Sequence, residues 1–196
     1  MALSMQCKTL IVLVLGGLVL GTALAFVVVG GVPLTLLLLQ DNGQVTRGWL
    51  WQLFTSIVVA PPTLTGLIDV GFNAVALALL DGIFGVVYSR RQYYLVFLAT
   101  AVAGNVASLA NGPKELSFGA SGGIFGLLAG AVSFDFATNR KFNPSLLIWF
   151  AVVFFVSSFV LAYVDWLAHA GGAILGLVLG YWVGSRRDPD TVIGAA

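Results

Sequence analysis

Charge is what this sequence most lacks: Asp, Glu, Lys and Arg make up 9% of its 196 residues, against 59% hydrophobic, where a soluble domain carries roughly a quarter charged residues. A water-soluble fold is thereby excluded, and the chain is expected in a lipid bilayer. Cysteine is equally scarce. With Cys7 as the sole thiol, an internal disulfide framework and a cysteine-based metal cluster are both ruled out. The expectation for Cys7 is an inert thiol near the membrane surface. There is one histidine, His169, so no metal site is expected either. Clustered basic residues of the kind that bind nucleic acid are missing, as is any phosphate-binding loop.

Uninterrupted apolar sequence is what the chain has in quantity. A helix needs about 20 apolar residues to cross the hydrocarbon, and six runs approach or reach that length, at 10–29, 67–87, 93–110, 121–137, 144–163 and 166–183. They are rich in leucine and alanine and show no polar–apolar alternation, so helices are expected rather than barrel strands. Six crossings with the N-terminus inside put Lys8, Arg90, Arg91, Arg140, Lys141, Arg186 and Arg187 on the inner face and leave Arg47 and Lys114 outside. That bias matches the positive-inside rule, which places both termini in the cytoplasm and the chain in the cell membrane. Ala23-Leu24-Ala25 has the form of a signal-cleavage site. The apolar run before and beyond it exceeds a signal core of about 7–15 residues, which favours a retained span.

The connection at 30–66 is too long for a simple turn. Its apolar 34–39 run and its Trp49 and Trp51 suit elements lying along the interface, where indole rings favour the headgroup level. Pro61-Pro62 then precedes the second span. That span carries Asp69, Asn73 and Asp81, polar groups costly in lipid and therefore expected to face protein, water or the interface. Asn73 suits either interhelical hydrogen bonding or a donor role.

Two spans have small residues at every fourth position: Gly122, Gly126 and Gly130 in the fourth, and Gly172, Gly176, Gly180 and Gly184 in the sixth. Residues so spaced share one helical face, and glycine there lets two backbones approach. The fourth and sixth spans enter from the same side as the second, so all three run parallel. Asn73, Ser121 and His169 then lie at similar depth. If the glycine faces meet, Ser121, in Phe118-Gly119-Ala120-Ser121-Gly122-Gly123, comes within reach of His169, in Asp165-Trp166-Leu167-Ala168-His169-Ala170-Gly171-Gly172. A serine hydroxyl is a weak nucleophile until a base takes its proton, and histidine is the usual base. Negative charge developing on an attacked carbonyl would be met by the first amides of the fourth helix, at Ser121 and Gly122, and by the Asn73 side chain. A nucleophile elbow of the α/β-hydrolase type would need a strand before the serine, and none is indicated.

Three motifs in this order, Phe72-Asn73, Gly119-Ala120-Ser121-Gly122 with Ile124-Phe125-Gly126, and Ala168-His169-Ala170-Gly171-Gly172 with Gly176, resemble the rhomboid family of intramembrane serine proteases. The segment Trp49-Leu50-Trp51-Gln52-Leu53-Phe54-Thr55 resembles that family's first loop. The resemblance implies an all-α membrane protein, a six-transmembrane-helix bundle with a long first outer loop forming a single domain over 1–196. It implies Ser121 as nucleophile, His169 as general base, Asn73 as part of the oxyanion site, and Gly126, Gly130, Gly172 and Gly176 as packing support. The substrate would be a transmembrane segment of another protein, cleaved near its outer end within the lipid bilayer. No metal or organic cofactor is implied, and the oligomeric state has no signal in the sequence.

Two departures stand out. The position four residues before Asn73, often histidine in the family, is Asp69, whose carboxylate donates no hydrogen bond unless protonated and would oppose an oxyanion. The family's Trp-Arg pair reads Trp51-Gln52, which weakens the expected anchoring of the first loop. Cleavage would further require a polar cavity between the second, fourth, fifth and sixth spans, with Phe154, Phe155 and Phe159 as a lateral gate. The alternative is a rhomboid-like protein that binds transmembrane segments without cutting them. A transporter is disfavoured, since no internal repeat is visible.

Overall fold

A computed structural model describes residues 2–160 and 164–186, without the side chains of 159 and 160. Arg187, the end of the fifth apolar run at 161–163 and the Phe159 side chain therefore lie outside the described residues. In chain order, helix α1 (Met5–Ala25) leads into a hairpin of β1 (Val28–Val29) and β2 (Val32–Pro33). The short elements α2 (Leu34–Leu38), β3 (Gln40–Asp41), α3 (Asn42–Val45) and α4 (Gln52–Thr55) follow. Then come α5 (Leu64–Val87), α6 (Arg90–Ser108), β4 (Leu116–Ser117), α7 (Ser121–Asn139), α8 (Pro144–Phe155) with a π-helical segment Val156–Val160, and α9 (Trp166–Ser185).

Among the described residues, five helices are long and apolar enough to cross a membrane: α1, α5, α6 with its 3₁₀ extension, α7 and α9. Their limits differ from the charge-free runs for physical reasons. Lys8, Arg90 and Arg91 lie inside helices, since long basic side chains at a helix end can reach the interface while their stems stay apolar. The first helix stops at Ala25 rather than at 29, because Gly30 (φ 59°) and Gly31 (φ 85°) form the turn of the β1–β2 hairpin, which requires positive φ at both positions. The fifth run is not one continuous α-helix over 144–163: 12 residues of α-helix are followed by five in π geometry. Local π turns commonly mark functional sites.

α7 is the central element, buried without interruption from Ser121 to Phe134. α9 lies along it in register. A Cβ at Gly172, Gly176 or Gly180 would fall on the carbonyl of Gly122, Gly126 or Gly130 respectively. Both numberings rise together, so the helices are parallel, and nothing larger than hydrogen fits at those three α9 positions. The α7 glycines in turn make room for α6, with Gly123 facing the Phe97 ring and Gly126 facing Thr100.

α1 joins the bundle at both of its ends. Gly17 and Gly21 sit on the Val58 and Ala60 carbonyls. At the other end the Ser4 backbone N–H and hydroxyl donate to the Asp81 carboxylate at 2.6 and 2.5 Å, which accounts for an acidic residue deep in α5. Cys7 is fully buried, its thiol 3.3 Å from the Leu77 carbonyl. It is an interhelical packing group in the first turn of α1.

Gln52 likewise corrects the expectation of weak anchoring. Its side chain is fully buried, accepts from the Asp41 N–H at 3.0 Å and donates to the Leu37 carbonyl at 3.3 Å. The loop it anchors is tied to α6 as well, through Gln40 and Asn42, whose amides donate to the carbonyls of Asn105 and Ser108 at 2.8 and 2.7 Å. β3 then pairs with β4, so the 30–66 connection clamps the strand that leads into Ser121.

Candidate active site

Among the described residues six helices have ten residues or more, and five of them begin with a side-chain cap: Ser4, Thr63, Ser89, Asn143 and Asp165 each accept from a first-turn amide. α7 is the exception. Its N-cap is Ala120, with no side chain able to accept. The Ala120 carbonyl takes the amides of Gly123 and Ile124 at 3.0 and 3.2 Å, and the amides of Ser121 and Gly122 head the helix, where no earlier carbonyl lies in register. Two donors thus lie at the positive end of the helix dipole, on the serine and the residue after it.

Ser121 and His169 meet there. Their Oγ and Nε2 atoms are 2.8 Å apart, and both residues are buried, 9% and 3% exposed. His169 reaches this point because Asp165 starts α9: the carboxylate caps Ala168 N–H at 3.0 Å and its carbonyl accepts His169 N–H at 3.3 Å. Asp165 also accepts from Asn111 Nδ2 and Ser117 Oγ, each at 2.8 Å, joining three connections at one carboxylate. The imidazole is flanked by aromatic rings, Phe125 tilted against it at a centroid distance of 4.4 Å and Phe154 edge-on at 6.4 Å. Its remaining nitrogen, Nδ1, is 2.7 Å from the hydroxyl of Ser158 in the π-helical segment.

Asn73, fully buried, makes no hydrogen bond to the pair among the described residues. Its Nδ2 donates to Asp69 at 2.8 Å, and its Oδ1 has no partner among the described residues. Asp69 faces the loop that leads into α7. A Cβ on Gly119 would stand 2.6 Å from Asp69 Oδ2, so the carboxylate lies against the backbone two residues before the serine. Gly119 also has φ 113°, a conformation that favours glycine, and its N–H donates to the Ser56 carbonyl at 2.9 Å. Asp69, Ser121, His169 and Asp165 line one cavity of about 320 Å³, together with apolar groups that include Phe72 and Phe118.

Of the three phenylalanines expected as a gate, Phe154 packs inward on Phe125, ring centroids 5.3 Å apart. Phe155 is exposed, and the Phe159 side chain falls outside the described residues. Phe125 and Ser158 also stand beside the imidazole. Phe125 carries a signal, lying one helical turn after Ser121 on the same face. Ser158 carries none that periodicity exposes. Among the described residues no group of three or more His, Cys, Asp or Glu is placed to hold a metal ion.

Membrane-length helices wrapped round a buried serine–histidine contact define a multi-pass membrane protein whose polar site is built inside the bundle. Comparison with known proteins agrees. The family model described as the Rhomboid domain matches residues 47–186, and the chain belongs to the rhomboid family. It is 30% identical over 141 residues to "Rhomboid protease GluP" of Bacillus subtilis (strain 168), covering 70% of this chain and 27% of that protein. It is 30% identical over 137 residues to "RHOMBOID-like protein 1" of Arabidopsis thaliana, covering 67% of this chain and 34% of that one. "Rhomboid-type serine protease 2" of Emericella nidulans is 31% identical over 137 residues, 65% of this chain and 26% of its own length. The chain thus spans roughly a quarter to a third of the length of these relatives, two of which are named as proteases.

Proposed function

We propose that this protein is an intramembrane serine endopeptidase that cleaves transmembrane segments of other membrane proteins. The observation that carries the reading is the 2.8 Å contact between Ser121 Oγ and His169 Nε2, made beside the uncapped start of α7. Ser121 Oγ attacks the scissile carbonyl carbon as its proton passes to His169 Nε2. The amides of Ser121 and Gly122 receive the resulting oxyanion, each such donor typically worth about 3–4 kcal/mol of barrier. Asn73 adds the Nδ2 proton not engaged by Asp69. The imidazolium returns its proton to the departing amine, and water, deprotonated by the same imidazole, then hydrolyses the acyl-enzyme ester. The glycines Gly126, Gly130, Gly172 and Gly176 support this site by letting α7 and α9 approach. On this reading residues 1–196 form one domain in the cell membrane with both termini cytoplasmic, and the cut falls near the outer end of the substrate segment.

Reconstitution with a model transmembrane substrate tests it. Ser121→Ala and His169→Ala should each abolish cleavage, and a fluorophosphonate should label the unaltered protein but not Ser121→Ala. Undiminished cleavage in either variant removes that residue from the mechanism. One observation favours a second reading, a protein that binds transmembrane segments without cutting them: the Asp69 carboxyl lies against Gly119 and holds Asn73, where a negative charge would oppose an oxyanion. Substrate capture by a chain that takes up no fluorophosphonate would support that reading.

A further inference from the structure

The imidazole of His169 has two nitrogens with different duties, and the reaction above accounts for one. Nε2 must be unprotonated to receive the Ser121 proton, so in the neutral ring the proton resides on Nδ1 and needs an acceptor. His169 is buried between Phe125 and Phe154, and neither ring offers one on its edge. Asp165, the carboxylate nearest in sequence, is occupied by the α9 amide, Asn111 and Ser117. Asp69 engages Asn73. The group that does face Nδ1 is the Ser158 hydroxyl, at 2.7 Å and itself 6% exposed.

We propose that Ser158 is a positioning residue, which accepts the Nδ1 proton of His169 and so holds the ring in the tautomer whose Nε2 is free to act as base. A serine can play this part because a hydroxyl oxygen accepts as well as donates. The π geometry of Val156–Val160 gives the segment its place in the argument: one residue of extra winding alters which side chains a helix turns toward its neighbour. Ser158 thereby faces α9 from an element other than the one that carries the histidine. This inference rests on the proposed catalytic reading, since a tautomer preference matters for turnover only if His169 is the base.

His169 is the sole histidine of the chain, so the test needs no assignment. The full chain, freed of any histidine tag, is labelled with ¹⁵N-histidine, reconstituted in lipid vesicles and observed by solid-state NMR near neutral pH. The unaltered protein should show a protonated Nδ1 and an unprotonated Nε2. Ser158→Ala should shift the ring toward a mixture and lower kcat about five- to tenfold with KM unchanged, the scale of one lost neutral hydrogen bond, and Ser158→Thr should restore both. A proton predominantly on Nε2 in the unaltered protein overturns the proposal even if every variant misfolds. So does a Ser158→Ala protein with unchanged kcat. Failure of the catalytic reading is told apart by Ser121→Ala: cleavage persisting there removes the dyad, while the tautomer spectrum is read without turnover.

Discussion

Gly172→Ala puts the packing of α7 on α9 to the sharpest test, because Gly172 lies one turn past His169 and faces the residue next to Ser121. The added methyl would fall on the Gly122 carbonyl oxygen and stand 2.8 Å from its carbon and 3.1 Å from its Cα. Unstrained carbon–carbon contacts lie at about 3.5–4.0 Å, and a carbonyl of a buried helix cannot rotate aside without breaking its own hydrogen bond. The helices must therefore part by roughly 1 Å. The same displacement takes the Ser121–His169 contact from 2.8 Å past the upper limit of about 3.2 Å for a good hydrogen bond. Overpacking of this kind costs about 1–3 kcal/mol of stability, and a misplacement of about 1 Å between reacting groups costs on the order of 10²-fold in rate.

The assay is paired: thermal unfolding in detergent, and cleavage of a transmembrane reporter in vesicles. Gly85→Ala supplies the control, since a Cβ there meets nothing within 4 Å; it should leave both readouts unchanged. Gly172→Ala should unfold at lower temperature and cleave about 10²-fold more slowly. A Gly172→Ala protein as stable and as active as Gly85→Ala would refute the inference that backbone contact between α7 and α9 sets the serine–histidine distance.

Two further outcomes follow from the site and its support. Asp69→Asn keeps the size of the side chain, excludes a negative charge there and adds a donor, so turnover should rise by about tenfold, within the worth of one oxyanion donor; unchanged kcat would place the side chain outside the oxyanion's reach. Gln52→Ala leaves the Asp41 N–H without its acceptor, which should cost about 1–3 kcal/mol. A melting temperature equal to that of the unaltered protein would deny Gln52 its anchoring role.

Much of the architecture can be read before any coordinate is known, for reasons that belong to lipid. A bilayer admits few charges, so the interruptions at Lys8, at Arg90-Arg91, at Arg140-Lys141 and at Arg186 mark helix ends almost directly. The glycines at 172, 176 and 180 recur every fourth residue because a close parallel contact demands it turn after turn. Other features escape such reading. Asp69 can face lipid, solvent or backbone by rotation of one side chain, and only its place against Gly119 decides. Gln52 differs from a solvent-facing glutamine in nothing but its surroundings, and Ser158 gains its contact through a local change of helical winding that no periodicity reveals.

By itself, then, the order of residues determined that this chain is a bundle of membrane helices in which one serine and one histidine occur at matching depth. Hydrophobic length and residue spacing are local quantities, and they survive in a linear string. Which atom of the imidazole faces Ser121, what stands behind it, and where the Asp69 carboxyl lies were decided only by tertiary packing. Those are distances between groups tens of residues apart, and helices brought together by interlocking backbones, not by pattern, set them.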